Sequence, residues 1–543
     1  MLSDFDPSQI QDEGARQAII QLLNLVEELK RENTTLREEV QRLRDENNRL
    51  KGEQGKPSIK PGPKPSKHSS ETERRQPKPW RKGRKIDQIK IDREEVVKVD
   101  RSRLPADARF KGYEPVVVQD LCIKTDNIRF LKEKFHSASQ HESYLAELPV
   151  GYQGEFGPGL RALVLVQSYS CGMTEPKIQE FLTNCGIRIS AGQISNLLSQ
   201  PEPVWQQEKD AVYQAGLGSS EWQHMDETGT RVNGVNHYCH LVCNPLYTAY
   251  FTRPAKDRLT IISILQNQSE PHFLFNQDTP TWLAGFAIPQ WAQRQISQWP
   301  QDILLSRAEV AERLHSQLGR LNEQQQARVY EAAALSAYYQ QTTWPIVPVL
   351  LTDDARQYAA IARHQALCWV HEGRHYKKLS PYLAYHQHLL TDFRGQFWQF
   401  YHQLQHYRAS PTADLVEQLR ADFDTLFSTT TGYDLLDQQI ATTKAKKDRL
   451  LKVLDYPAIP LHNNPAELAA RQRVRKRDIS FGPRSPTGGA AWDTFMSLAD
   501  TAKKLGVSFF AYVYDRVTQK FVLPSLAELI QLRSPASHPI SAA

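Results

Sequence analysis

A chain of 543 residues is too long for one hydrophobic core and divides into roughly three to four domains or segments. Its formal charge of +6 is modest, yet residues 51–90 hold 13 basic and 4 acidic side chains, so this segment alone carries more net positive charge than the whole chain. Six cysteines without a CxxC pair exclude a zinc ribbon or a disulfide framework and fit a reducing cytosol; no run approaches the roughly 18 apolar residues of a membrane span, which predicts a soluble, unsecreted protein.

Residues 1–15 read as a polar tail. Residues 16–52 then keep a seven-residue repeat, with Ile19, Val26, Asn33, Val40 and Asn47 at a and Leu22, Leu29, Leu36, Leu43 and Leu50 at d. Branched residues at a with leucine at d favour two parallel strands, and asparagine at a fixes register. The repeat predicts a leucine-zipper homodimer joined through Leu22, Leu29, Asn33, Leu36, Leu43, Asn47 and Leu50. A single helix packed on its own protein needs a wider apolar face than this stripe.

Residues 53–92 are rich in Pro and Lys and lack apolar periodicity, so they read as an extended, disordered tether. Its Arg81, Lys82, Arg84 and Lys85 suit contacts to DNA phosphates, although such a segment also serves as a plain solvated linker. Short alternating runs over 93–150, such as "EPVVVQDLCIKT", predict a small β-rich module. Residues 157–204 give three short helices separated by "CGMTEP" and "CGIRISAG", with Ser190 capping the last. That order suits a helix-turn-helix-like DNA-binding segment, and it suits a helical connector equally well.

Over 218–505 the pattern changes. "EWQHMDETGTRV", "VNHYCHLVCN" and "LYTAYFTRP" predict three antiparallel strands, and "KDRLTIISILQN" a helix. A helical stretch at about 269–343 follows, then the strand-helix units "WPIVPVLLTDDARQYAAIA" and "ALCWVHEGRHYKKL", further amphipathic helices over about 380–455, and the helix opened by "NNPAEL". This order predicts an α/β RNase H-like domain with helical insertions, followed by a C-terminal helical region and tail at 506–543.

In that layout Asp226 and Asp353 stand at strand ends, where ligands gather on open sheets. A carboxylate at the mouth of a buried strand must be solvated, paired or metal-bound. Glu467 has a bland reading beside the functional one: Asn464 as N-cap, Pro465 at the first helical position, the Glu467 carboxylate reaching back to the cap amide, and Arg471 as its i+4 partner. Two aspartates and a glutamate offer hard oxygen ligands suited to Mg²⁺. In "YCHLVCN", strand alternation sends Cys239 and Cys243 to one face and His240 to the other, which argues against a three-ligand metal site.

The stretches "HMDETGTRVNG", "LTDDA" followed by "CWVHEGR", and "NNPAE" followed by "RKRDISFGPRSPTGGAAWDTFMSLADTAKKLG" resemble the catalytic blocks of the IS66-family transposases. "FGPGLRALVLVQSYSCGMTEPKIQEFL" resembles the segment preceding them. The resemblance implies a DDE transposase with Asp226, Asp353 and Glu467 as catalytic and metal-binding triad and two Mg²⁺ ions, with Mn²⁺ able to substitute. It further implies transposon-end and target DNA as partners, accessory transposition proteins, and a bacterial, nucleoid-associated location. His371 and Arg374 are then expected near the scissile phosphate, or as plain surface residues. Arg471, Arg473, Arg475, Lys476 and Arg477 are expected to hold DNA phosphates, or to be a solvated helix end.

This chain departs from the family pattern in several ways, one being a segment at about 269–343 that is longer than expected. Only Cys122 remains where a zinc module is usual, so no structural zinc is expected. Leu468 replaces the arginine usual after the glutamate, with Arg471 as partial compensation. Of the two acids in "LTDDA", Asp353 directly follows the strand, and Asp354 is expected to cap the next helix. The rival reading is a catalytically inert, zipper-dimerised DNA-binding protein.

Overall fold

The computed structural model describes residues 6–50, 89–105, 107–152, 154–199 and 203–534; the basic cluster Arg81, Lys82, Arg84 and Lys85 lies outside them. The first helix, α1 (Glu13–Leu50), runs unbroken for 38 residues. Among the described residues, the apolar alternation over 89–133 finds no facing strand: Val97, Val116 and Val118 are exposed, and the first described ladder is the hairpin of β1 (Lys134–Ser137) and β2 (Glu142–Leu145). Alternation makes a sheet only when a second strand takes up the backbone groups.

Helices α2 (Pro158–Tyr169), α3 (Glu175–Asn184) and α4 (Ala191–Ser199) follow with the expected turns. Ser190 Oγ caps α4 by accepting the Gln193 amide at 3.2 Å. Helix α5 (Pro203–Gly218) then leads into the central sheet. It passes Tyr247 so closely that a Cβ on Gly216 would lie 2.4 Å from the ring, which only glycine permits.

The sheet has five strands in the order β5-β4-β3-β8-β9. Strands β3 (Trp222–Val232), β4 (Val235–Cys243) and β5 (Thr248–Arg253) form an antiparallel meander. After helix α6 (Arg258–Leu265) comes an insertion with β6 (Phe273–Leu274), α7 (Thr279–Gly285), α8 (Gln290–Ile296), β7 (Leu304–Leu305), α9 (Arg307–Gln317) and α10 (Glu323–Gln340). Strands β8 (Val349–Thr352) and β9 (His364–Leu367) then join the sheet parallel to β3. Both β8 and the end of β4 are fully buried, as their unbroken apolar runs require.

Helix α11 (Trp369–Lys378) begins the second insertion, continued by α12 (Ala384–Ala409), α13 (Ala413–Leu426), α14 (Asp434–Lys444), α15 (Lys447–Leu450) and α16 (Lys452–Asp455). These helices build their own core around Trp369, with Phe397, Phe400, Phe423 and Phe427 against its indole. Helices α17 (Asn464–Ser480), α18 (Pro486–Lys504), α19 (Phe509–Val517) and α20 (Leu526–Arg533) return to the main core, where Met225, Leu241, Tyr250 and Phe495 meet. No helix of the described residues is long and apolar enough to cross a membrane.

Helix α1 rests on the second insertion by one face only. Leu23 and Glu27 are buried, while the heptad leucines Leu22, Leu29 and Leu36 are 58%, 56% and 59% exposed. Glu27 accepts the Tyr382 and Leu383 amides at 2.6 and 3.1 Å, which places its charge at the N-terminus of α12. Asn24 donates to Gly432 O at 2.9 Å.

His240 in β4 is fully buried, donates from Nε2 to Ala255 O at 3.0 Å, and is held down to about 4 by burial. The unfolded chain takes up this proton near pH 6.5, so stability falls as pH drops from there to about 4. The loss amounts to roughly 3 kcal/mol from this group. His240→Gln, which retains a donor, should flatten the pH dependence of the melting temperature across that window.

Candidate active site

The parallel pairing of β3 with β8 runs through Trp222–Val349 and Gln223–Leu350 to His224–Leu351. Asp226 and Asp353 each stand two residues beyond the last pair, so the register sets them side by side. Asp353 directly follows the apolar, buried run of β8, whereas Asp226 corrects the sequence expectation: it lies within β3, after a buried run that includes Gln223 and His224, because pairing with β4 carries the strand on to Val232.

Glu467 comes from the start of α17, and Asn463 brings it in. The Asn463 Nδ2 donates to Met225 O at 2.9 Å, its Oδ1 accepts from His224 Nδ1 at 2.8 Å, and its amide donates to Cys368 Sγ at 3.2 Å. One side chain thereby ties the start of α17 to β3 beside Asp226, and its backbone ties it to the start of α11. His224, pushed down to about 3 by burial, stays neutral and donates this hydrogen bond at any working pH. Asn463 is the N-cap residue, one position earlier than the sequence suggested, and it makes no side-chain cap. Glu467 is consequently the fourth helical residue, and its side chain is free of capping duty. Its carboxylate accepts from Arg374 at 3.0 and 3.3 Å and lies 3.7 Å from His371 Nε2.

Burial pushes the Asp226 carboxyl up to about 7; its neighbours Glu227, Asp353 and Glu467 add to the rise, against the Glu227 amide that donates to it at 2.9 Å. The charges of Asp353 and Glu467 thus reach Asp226 beside the central strand pair, and the three carboxyl groups offer a donor set of hard oxygens suited to divalent cations. The residues fit Mg²⁺.

Glu227 was not singled out by the sequence. It accepts from the Tyr358 hydroxyl and from Gln357 Nε2 at 2.8 Å, both in the short turn after Asp353, so it braces the loop that carries that acid. An acid next to Asp226 in the same strand was the available signal. Asp353 accepts the Ala355 amide at 3.1 Å. Asp354 corrects a sequence expectation: instead of capping a helix, it pairs with Lys446 and Arg449 of the second insertion at 2.9 and 2.8 Å.

The basic cluster of α17 divides by helical face. Arg471 and Arg475 are exposed, and Arg477 is half-buried with Nη1 on Gly229 O at 2.5 Å. With Arg231, His237 and Tyr238, Arg477 lines a shallow cavity of about 440 Å³ beside the β3–β4 hairpin. Arg473 and Lys476 are interior, contrary to expectation. Arg473 is 0% exposed, pairs with Asp493 at 3.2 Å and stacks on Trp492, while Lys476 Nζ donates to Ser168 O at 2.9 Å. Spacings of three and four from Ala466 and Ala469 carry both to the inner face, which removes them from the DNA-contacting set. His371 and Arg374 do reach the site: His371 Nε2 accepts from Arg374 at 2.9 Å, and burial holds its imidazole below the ordinary value.

Arg473→Ala should cost about 3–5 kcal/mol by leaving Asp493 buried without its partner, read as a fall in melting temperature. Arg471→Ala with Arg475→Ala should leave the melting temperature unchanged and reduce the slope of log affinity for DNA against log salt by about 2.

The chain matches the family described as "Transposase IS66 family" over residues 153–273 and 296–491, more than half of its length. It is also similar to an uncharacterized protein, y4jO, of Sinorhizobium fredii, at 32% identity over 303 residues, which is 56% of this chain and 94% of that protein. The second match attaches no activity; the first, over the segments that carry Asp226, Asp353 and Glu467, does. The chain belongs to the IS66 family of transposases.

Proposed function

We propose that the chain is a DDE transposase that cuts DNA at transposon ends and joins them to target DNA, with Asp226, Asp353 and Glu467 as the metal-holding triad. The observation that carries the reading is the convergence of the three carboxylates from β3, the end of β8 and the start of α17. A strand order of three antiparallel strands followed by two parallel ones, with the acids on its central pair and on a later helix, supports an RNase H-like description.

Two divalent ions, Mg²⁺ or Mn²⁺, would supply activation of a water or 3′-hydroxyl and neutralisation of the leaving oxygen. The protein contributes the rest. Asp226 and Asp353 hold fixed positions because their strands are buried and paired, and Glu227 steadies the loop after Asp353. Asn463 sets the distance of Glu467 from β3. Arg374 keeps the Glu467 carboxylate in place and is exposed enough to meet a phosphate, and Arg471 and Arg475 extend that positive surface along α17. The exposed seam of α1 supports a homodimer through the heptad leucines.

The test is cleavage and strand transfer on supercoiled DNA carrying the element's flanking sequence, with Mg²⁺, with Mn²⁺ and with EDTA. Metal-dependent cutting is expected. Binding without cutting under every condition would overturn the catalytic reading in favour of an inert, dimeric DNA-binding protein.

A further inference from the structure

A second set of donors shares Glu467 with the triad. One ligand atom each of Cys368, His371 and Glu467 lies within 4.8 Å of the other two. We propose that these three residues form a site for a borderline-soft divalent ion, of which Zn²⁺ is the fitting example, and that its occupation withdraws Glu467 from the hard-metal centre. Only the inhibitory consequence rests on the catalytic reading given above.

The site is built from two helix starts that are already tied together. Cys368 is the residue preceding α11 and is 2% exposed; His371 follows three positions later in the first turn of that helix. Glu467 lies in the first turns of α17, whose N-cap Asn463 donates its amide to Cys368 Sγ at 3.2 Å. The Val370 and His371 amides also point at this sulfur, so three N–H dipoles converge on it. Such a cradle suits a thiolate.

Donor chemistry selects the ion. Asp226 and Asp353 provide oxygen only, whereas sulfur, imidazole nitrogen and one carboxylate make a mixed set typical of zinc. Tetrahedral zinc with a sulfur at 2.3 Å and a nitrogen near 2.0 Å places these two atoms about 3.5 Å apart, so donors within 4.8 Å need to close by only about 1 Å. On coordination Cys368 releases its thiol proton to water and forms the sulfur–metal bond. Arg374 gives up its contact with Glu467 and turns to solvent or phosphate, and a water fills the fourth position. Glu467 cannot serve both centres.

The experiment is a Co²⁺ titration of the full-length protein, followed by absorption. A near-ultraviolet thiolate-to-cobalt charge-transfer band is expected in the wild type, reversed by equimolar Zn²⁺ and not by millimolar Mg²⁺. It should disappear in Cys368→Ser and persist in Asp353→Asn. His371→Gln, which retains the buried sulfur, should weaken cobalt affinity by about tenfold or more, since loss of a direct ligand exceeds the effect of losing an outer partner. Absence of the band in the wild type, its survival in Cys368→Ser, or unchanged affinity in His371→Gln would overturn the proposal. A wild-type protein that shows the band yet cuts no DNA would refute the catalytic reading and leave this site standing.

Discussion

Asp226→Asn is expected to lower strand cleavage and transfer by on the order of 10³-fold or more and, in metal-free buffer, to make the protein more stable. The two effects share one cause. Asp226 is pushed up to about 7 first by burial and then by Glu227, Asp353 and Glu467, so above that pH the folded protein holds a carboxylate in a place hostile to it. An acid whose folded pKa is raised ionises more readily in the unfolded chain, so stability declines as pH climbs from about 4 to about 7. A shift of about 3 units corresponds to roughly 4 kcal/mol at most. Asparagine keeps the oxygen that accepts the Glu227 amide and removes the charge. The gain in EDTA at pH 8 should be on the order of 2–4 kcal/mol, vanishing below pH 4. Mg²⁺ should raise the melting temperature of the wild type and leave the variant unmoved. Full cutting by the variant, or a lower melting temperature in EDTA at pH 8, would sink the assignment. Asp353→Asn provides the companion loss of chemistry.

Stability that rises as activity is lost marks a site whose geometry is held for a ligand rather than for the fold. The surrounding protein supplies the holding. Asn463, Glu227 and Lys446 each spend a buried or half-buried polar side chain on keeping an acid-bearing segment in place. None of them touches both partners of the chemistry, which is why their roles emerge only from contacts between distant parts of the chain.

This contrast explains what the sequence could and could not reveal. Asp353 was legible because an apolar strand followed by an acid is a local pattern; Asp226, placed by the sequence at a strand end, lies within β3, and the parallel register sets the two side by side. Glu467 was legible as a helix-start acid, but the cap was misplaced by one residue, because Asn463 and Asn464 look alike until one of them is seen to bind His224 and Met225. The run "RQRVRKR" invited a reading by charge alone. Helical spacing from the small residues Ala466 and Ala469 already pointed Arg473 and Lys476 inward, so the signal existed and charge density obscured it. The alternating valines of 93–133 show the opposite failure, a local pattern with no partner to complete it. Glu27 carried no local signal at all: it sits among heptad surface positions, and only the N-terminus of a helix some 355 residues away gives it a role.

That anchored glutamate leads to the second large effect. In the proposed dimer, Leu29→Lys combined with Leu36→Lys should yield a monomer without altering its melting cooperativity or its metal response. These leucines are 56% and 59% exposed in the single chain, so the folded body does not depend on them. In a parallel pair four such side chains become buried, worth on the order of 8 kcal/mol together, or a weakening of self-association by more than about 10⁵-fold. Glu27→Ala should do the reverse. It leaves the seam intact and strips two amides at the start of α12, that of Leu383 buried, of their acceptor, costing about 1–3 kcal/mol. The variant should stay dimeric by sedimentation while residues around Tyr382 and Leu383 lose hydrogen-exchange protection. A zipper joined to its body only by a loose tether would leave the two catalytic centres free to wander. In the proposed dimer, a zipper whose outer face is pinned by Leu23, Asn24 and Glu27 instead sets each proposed centre at a fixed distance from the dyad, so Glu27→Ala should depress paired-end joining more than single-end nicking. Sedimentation of the double-lysine variant as a dimer would show that the seam is not the interface; equal loss of joining and nicking in Glu27→Ala would show that the anchor does not set the spacing.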